Sequence, residues 1–333
     1  AFAMGRTAWP TRIMAAAMGA PLVYGSIDPQ EATVPDQPSI GLLAQLYRVG
    51  SLGPKTKWYG LLGNPAMHSL GPWLHNRAFR RLDHDAVYLP LETSRPEAVL
   101  AMMPQDRLAG VSVTSPHKER MLDVCLHTSD EAAAVGVVNT MVAAEGGGWH
   151  GYNTDVLGVR EALEQAGAID GDGQTAVVLG SGGAARAGAY ALLQLGFTVA
   201  MLARSHEPIR TFADTYGIRL GSLSETVLAE LNPKVLVHAT PVGSYGRNLD
   251  GSEGERLLPD YTPPAGTIVH DMVYQPVRTK LLEDCQRAGA VVVPGVEMFL
   301  RQARAQVRLF VGKDLPEEVL RSFLAGSTAA VRL

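Results

Sequence analysis

Residues 110–121 read GVSVTSPHKERM. An apolar, strand-like run turns at Ser115-Pro116 and sets His117 and Lys118 at the mouth of the turn. Ligands of open α/β sheets bind outside the carboxyl ends of strands, and an ammonium placed there can bind a reacting oxygen or exchange a proton with it. Polar residues gather at three further places. NPAMHSLGPWLHN carries Asn64, His68 and Ser69 behind a second strand-like run. VVNTM and GYNTD carry Asn139 and then Asn153, Thr154 and Asp155. GVEMFLRQARAQVRLFVG sets Met298 and Gln302 one turn apart on one helix face. Each also has a plain structural reading: Asn139-Thr140 as a turn, Asp155 as the N-cap of the helix that follows, and Lys118 as a solvated first-turn lysine.

A different chemistry is written in TAVVLGSGGAARAGAYALLQLG. A strand runs through Gly180, Gly182, Gly183 and Ala184 straight into a helix. Gly180 permits the tight turn, Gly182 admits a pyrophosphate close to the backbone, and Ala185 keeps the helix near the sheet. The helix N-terminus adds N–H donors and partial positive charge. This is a dinucleotide turn, its alternative being an ordinary strand–helix connection. The next strand ends MLARSHEPIR, with Arg204 and Ser205 where an NAD site carries a carboxylate. A guanidinium pairs bidentately with a 2′-phosphate, so NADP is the expected cofactor, although Glu207 stands just beyond.

These residues need a scaffold of alternating strands and helices. Strands are expected at 58–63, 86–91, 110–115, 175–180, 198–204, 234–240, 266–272 and 290–295. Helical patterns at 71–82, 156–166 and 184–195 lie among them, which implies parallel sheets in β-α-β units. The 333 residues suffice for two domains. A hydrophobic fraction of 46% against 19% charged excludes a disordered chain. A net charge of -4 without Lys/Arg runs excludes nucleic-acid or membrane-surface binding by bulk charge. Two cysteines, Cys125 and Cys285, make no secreted disulfide framework, so a cytoplasmic location is expected. No apolar run reaches the roughly 18 residues of a membrane span. The nine histidines lack ligand spacing, and no metal is expected. The chain starts without Met or an ordered signal peptide, as a processed or truncated product would.

From about Lys57 onward the sequence resembles shikimate dehydrogenase. The matching pieces, in the family's order, are GNPAMHSLGPWLHNRAF, DAVYLPL, VSVTSPHKE, VGVVNTM, GYNTD, GSGGAAR, HATPVG, HDMVYQPVRTKLL and GVEMFLRQA. SVTSPHKE is the form of the plant-like branch, in which the enzyme is fused to a dehydratase. The segment AMGRTAWPTRIMAAAMGAPLVYGSIDPQEATVPDQPSI resembles the final β-α-β of a type I 3-dehydroquinate dehydratase barrel. A few strands cannot close a barrel, so no dehydratase activity is expected from this chain. A dehydratase domain of a longer chain is an expected partner.

The resemblance implies an α/β fold: two α/β domains across a cleft, a substrate domain with a mostly parallel sheet and a Rossmann NADP-binding domain. The expected division is a remnant with linker at 1–55, a substrate-binding and catalytic domain at 56–154 with 291–333, and the Rossmann domain at 155–290. The implied reaction is reversible hydride transfer between NADPH and 3-dehydroshikimate, giving shikimate in the pathway of aromatic amino acid biosynthesis. Lys118 and Asp155 become the catalytic pair on the reacting hydroxyl. Ser69, Thr114, Asn139, Tyr274 and Gln302 bind the acid. Gly180, Gly182, Gly183, Ala184, Arg204 and Ser205 fall on the cofactor, and Met298 packs beside the nicotinamide or substrate.

One departure bears on the substrate. The family's first loop carries Ser-x-Ser, whereas here it reads Ser69-Leu70-Gly71. The missing hydroxyl removes about 0.5 to 1.5 kcal/mol of binding and opens space at Gly71 for the extra hydroxyl of quinate, while Thr114 is the shikimate form. Two non-enzymatic classes stand beside this reading: an NADP-binding sensor, which has no need of Lys118 and Asp155, and a docking partner acting through residues 1–50.

Overall fold

The computed structural model describes residues 3–5, 7–28, 37–244 and 255–325. It contains two six-stranded sheets, one in each of two compact units. The first unit comprises residues 1–132, 137–152 and 303–333, and the second 133–136 and 153–302.

In the first unit, helices α1 (Thr11–Ala17) and α2 (Ile40–Gln45) precede β1 (Lys57–Gly63). Helix α3 (Gly71–Arg81) leads to β2 (Ala86–Glu92), and α4 (Pro96–Met102) to β3 (Leu108–Val113). Strand β4 (His127–Thr128) and helix α5 (Asp130–Val135), whose last three residues are counted in the second unit, come before the hairpin of β5 (Thr140–Ala143) and β6 (Trp149–Tyr152). The sheet order is β2-β1-β3-β5-β6-β4. Strands β1, β2 and β3 are parallel, whereas β5 runs antiparallel to β3 and β6. The sheet is therefore mixed. Strands β1 and, at the sheet edge, β2 are buried along almost their whole length, as their unbroken apolar runs require.

Residues before β1 do not stand apart from this unit. Ile13 and Ala17 of α1, Leu43 of α2, and Leu46 and Tyr47 share one buried cluster with Trp58, Leu62 and Val87. Of the β-α-β expected there, the helix is present; the chain after it pairs as an isolated bridge between Ser26 and Ser39. Arg6 and residues 29–36 of that segment lie outside the described residues.

The second unit opens with α6 (Thr154–Gln165) and β7 (Thr175–Leu179), then α7 (Gly183–Gln194), β8 (Thr198–Ala203), α8 (Arg210–Tyr216) and β9 (Arg219–Ser222). It continues with α9 (Glu225–Leu231), β10 (Val235–His238), β11 (Ile268–Asp271), α10 (Lys280–Arg287) and β12 (Val291–Pro294). The sheet order β12-β11-β10-β7-β8-β9 is parallel throughout. Counted within the unit, this is the 3-2-1-4-5-6 order of the doubly wound dinucleotide fold, whose ligand crevice lies where the order reverses, here between β7 and β10.

The boundary at 290/291 differs from this division. Strand β12 pairs in parallel with β11, Ile268 opposite Val291, and so completes the second sheet. Helix α11 (Gly295–Val311) follows it, and its residues up to Gln302 belong to the second unit. The remainder, with α12 (Glu317–Leu324), belongs to the first. Among the described residues no helix is long and apolar enough to cross a membrane.

Candidate active site

In the first unit the expected substrate residues collect at the carboxyl ends of β1 and β3. The Thr114 amide donates to the Leu62 carbonyl at 2.8 Å, which ties the end of β3 to β1. The Val113 amide donates to the Asn139 carbonyl at 2.7 Å, so Asn139, at the start of β5, stands beside them. Lys118 is held from two sides. Its neighbour His117 is buried, with Nε2 2.7 Å from the Thr93 carbonyl beyond β2. The Lys118 carbonyl accepts from the Val138 amide at 3.0 Å. The segment that carries the ammonium is thus tied to two neighbouring segments.

Ser69 and Gly71 sit where the loop after β1 enters α3. One oxygen of Glu92, at the end of β2, accepts both the Ala66 amide (2.8 Å) and the Met67 amide (3.1 Å) and fixes this loop. Gly71 donates its amide to Ser69 Oγ. Below it His75, only 1% exposed, donates from Nδ1 to the Gly71 carbonyl at 2.9 Å and stacks on Tyr88. Burial lowers the His75 pKa to about 4, against the opposite pull of the Gly71 carbonyl and Gln306. A second buried chain backs Asn139: Ser112 Oγ donates to Gln306 Oε1 at 2.9 Å, and Gln306 Nε2 donates to Thr140 Oγ1 at 3.0 Å. Thr140 Oγ1 in turn donates to Asn139 Oδ1 at 2.8 Å, which orients that amide.

In the second unit Asp155 lies in the first turn of α6 and is buried. It is not the cap. Asn153 Oδ1 accepts the amides of Asp155 and Val156, at 3.0 and 3.2 Å, so Asn153 is the N-cap of α6. Gln302 is close by: Thr154 Oγ1 lies 3.4 Å from its Oε1. Helices α6 and α11 approach closely at Gly158, where an added methyl carbon would lie 2.9 Å from the Met298 carbonyl oxygen and 3.1 Å from Gln302 Cβ. The structure therefore groups Asp155, Met298 and Gln302. Tyr274, beyond β11, stacks on Phe299 with ring centroids 4.9 Å apart.

The glycine turn after β7 is tight and open. Gly180 adopts φ +128°, and an added methyl carbon would come within 3.1 Å of the Ala239 carbonyl oxygen. Gly182 caps α7 without a side-chain bond, and nothing lies within 4 Å of the place a side chain would take. Gly183 and Ala184 form the first turn of α7, which contains no acidic residue. This open, uncapped helix end at the switch point fits a pyrophosphate. Arg204 and Ser205 are exposed just after β8. The loop they occupy is anchored by His206, whose Nε2 lies 2.8 Å from the Gly221 carbonyl of β9. Glu207 faces Arg210 at 3.7 Å.

Glu92, His75 and Gln306 were not expected. The i, i+4 spacing of Gly71 with His75 and of Gln302 with Gln306 was a readable signal; nothing local marks Glu92, whose partners lie at Ala66 and Met67.

A profile of the shikimate dehydrogenase substrate binding domain matches residues 61–141. The shikimate dehydrogenase (NADP(+)) of Methanothermobacter thermautotrophicus is 36% identical over 281 residues, covering 81% of this chain and 96% of that protein. The chloroplastic bifunctional 3-dehydroquinate dehydratase/shikimate dehydrogenase of Arabidopsis thaliana is 33% identical over 332 residues, 95% of this chain and 54% of that protein. The chain thus spans about half the length of that relative. The solved structure of shikimate 5-dehydrogenase from Thermus thermophilus with NADP(H) and shikimate superposes with a TM-score of 0.66 at 31% identity, over 81% of this chain and 100% of the other. With one near-complete relative above a third identity, and with the mixed and Rossmann-like sheets both in place, the chain belongs to the shikimate dehydrogenase family.

Proposed function

We propose that Lys118 and Asp155 carry the proton transfer of this family's reaction, and that Ser69, Thr114, Asn139, Tyr274 and Gln302 bind the acid. The chain is an NADP-dependent oxidoreductase, a shikimate dehydrogenase that interconverts 3-dehydroshikimate and shikimate in aromatic amino acid biosynthesis. Bound NADP supplies or accepts the hydride. The chain's own work is to orient the acid and to move one proton. The Lys118 ammonium hydrogen-bonds the reacting oxygen and gives or takes its proton, and Asp155 binds the same hydroxyl. Ser69 offers its hydroxyl to the carboxylate. Gly180, Gly182, Gly183 and Ala184 hold the pyrophosphate, Arg204 and Ser205 the 2′-phosphate, and Met298 lies against the nicotinamide.

The observation that carries this reading is the collection of Ser69, Thr114, Lys118 and Asn139 around the carboxyl ends of β1 and β3, with the Lys118 carbonyl held by the Val138 amide and the His117 ring by the Thr93 carbonyl. We assign substrate binding to residues 56–154 with the end of the chain, and NADP binding to the sheet around β7. The 332-residue match to the Arabidopsis protein supports a place in the plant-like branch, with residues 1–50 as the end of a dehydratase region. Quinate is a second acid on the strength of Gly71, which leaves Ser69 as the one hydroxyl of that loop.

The test is the initial rate of NADPH absorbance change with shikimate and with quinate, each with NADP and NAD, for the unaltered chain and Lys118→Ala. Turnover of shikimate with NADP that collapses in the variant supports the reading. Undiminished turnover in Lys118→Ala removes Lys118 from the mechanism, and preference for quinate makes Gly71 the specificity determinant.

A further inference from the structure

A chain of buried polar contacts crosses the carboxyl ends of β10 and β11. Asp271 is fully buried and receives three hydrogen bonds. Its Oδ2 accepts from Thr279 Oγ1 at 2.6 Å. Its Oδ1 accepts from the Val273 amide at 3.0 Å and from His238 Nδ1 at 2.9 Å. A carboxylate has no proton to give, so Nδ1 of the imidazole carries the hydrogen. On the far side of the ring, Nε2 lies 2.6 Å from Thr240 Oγ1. In the Nδ1–H tautomer Nε2 is the acceptor, and the threonine hydroxyl donates to it. The order carboxylate, imidazole, hydroxyl is that of a catalytic triad, but its end point is a residue at the nucleotide crevice.

Thr240 stands just beyond β10, beside the turn at Gly180. The Ala239 amide donates to the Leu179 carbonyl at 2.9 Å, and the Ala239 carbonyl closes over Gly180. This is the switch point of the sheet. The turn and α7 take the pyrophosphate, and the loop after β8 takes the adenosine end. The strands on the opposite side, β10 onward, therefore face the nicotinamide riboside half. The Thr240 oxygen also accepts from the Val242 amide at 3.3 Å. With its proton committed to His238, it has one lone pair left and can only accept.

We propose that His238 is a positioning residue for the cofactor: held by Asp271, it fixes the Thr240 hydroxyl as a hydrogen-bond acceptor for a donor on the nicotinamide riboside half of NADP. Such a group takes a ribose hydroxyl or a carboxamide N–H and rejects a phosphate oxygen. The inference rests on the NADP reading of the turn.

Calorimetric titration with NADP and with 2′-phospho-ADP-ribose, which lacks the nicotinamide riboside, separates the two halves of the ligand. Thr240→Val keeps the size of the side chain and the His238–Asp271 pair, so it carries the test even where His238→Leu fails to fold. We expect Thr240→Val and His238→Leu each to weaken NADP by roughly threefold to tenfold, the loss of one hydrogen bond. The double variant is no worse than either single one, because the two residues act through one contact. Affinity for 2′-phospho-ADP-ribose stays unchanged. With the nicotinic acid analogue of NADP, whose carboxylate has no N–H, the effect of Thr240→Val disappears when the donor is the carboxamide and persists when it is the ribose. Unaltered NADP affinity in Thr240→Val, or equal weakening of NADP and the fragment, overturns the proposal. Failure of the unaltered chain to bind NADP overturns it together with the cofactor reading.

Discussion

The Gly71 amide lies 3.0 Å from Ser69 Oγ and donates to it. The serine hydroxyl is thereby oriented by its own loop, with its single proton left to offer outward. The glycine that replaces the family's second serine still contributes to the site through its backbone. The side chain it lacks would start 3.2 Å from Ser69 Oγ and 3.6 Å from the Tyr88 hydroxyl.

Gly71→Ser therefore places a second hydroxyl beside the first at the cost of slight crowding. The expected outcome is a Michaelis constant for shikimate lowered about threefold, one net hydrogen bond's worth, with loss of any quinate turnover. Gly71→Ala brings the same β carbon without the hydroxyl, so its Michaelis constant rises. Steady-state kinetics on both acids decide the matter. Unchanged shikimate kinetics in Gly71→Ser would sink the account of the carboxylate.

Lys118→Ala and Asp155→Asn are expected to lower kcat by about 10² to 10⁴, the usual contribution of a positioned acid or base. NADP affinity, measured by titration, stays put in both. Because Asn153 and not Asp155 caps α6, Asp155→Asn keeps the cap and shifts the thermal unfolding midpoint by no more than a few degrees. A large drop in that midpoint would return Asp155 to a structural role.

Much of this was legible in local pattern. Apolar runs bounded by glycine or by polar turn residues mark β1, β2, β7 and β8 to within a residue or two, because a buried parallel strand needs little else. Strand β12 shows the limit. AVVVPG reads as a strand, but its sheet is chosen by pairing with Ile268–Asp271, some twenty residues away. Strands β4 and β9, HT and RLGS, are too short and too polar to announce themselves. The site divides in the same way. Lys118, Asp155 and the glycine turn sit at ends of elements that the pattern locates. Glu92 acquires its role only when the loop at Ala66 and Met67 folds back onto the end of β2.

Arg204 provides a test of cofactor choice. It is exposed beside Ser205, and Glu207, the nearest following carboxylate, faces Arg210 instead of standing at the strand end. Arg204→Ala is expected to raise the Michaelis constant for NADP by about tenfold, as loss of a charge-assisted phosphate contact would, and to leave that for NAD unchanged. The NADP penalty shrinks in high salt, where the charge is screened. Equal effects on NADP and NAD would show that Arg204 does not read the 2′-phosphate.

His75 makes the fold sensitive to acid. Its ring is stacked on Tyr88 with centroids 4.3 Å apart, donates to the Gly71 carbonyl, and is pushed by burial from 6.5 to about 4. In the unfolded chain the same imidazole takes up its proton near 6.5. Between those two values the unfolded state holds more protons, so stability rises with pH and is lost as pH falls through that window. The shift corresponds to about 3 kcal/mol at full development. His270, lowered by the same burial, adds to the trend in the same direction. His75→Phe keeps a flat ring against Tyr88 and removes the His75 titration. Denaturant unfolding at neutral pH and near pH 4.5 should show a smaller acid loss in the variant than in the unaltered chain, although the variant is less stable at neutral pH for want of its bond to Gly71. Identical acid losses in the two proteins would mean that His75 is protonated in the folded state, and that the carbonyl of Gly71 and the side chain of Gln306 outweigh its burial.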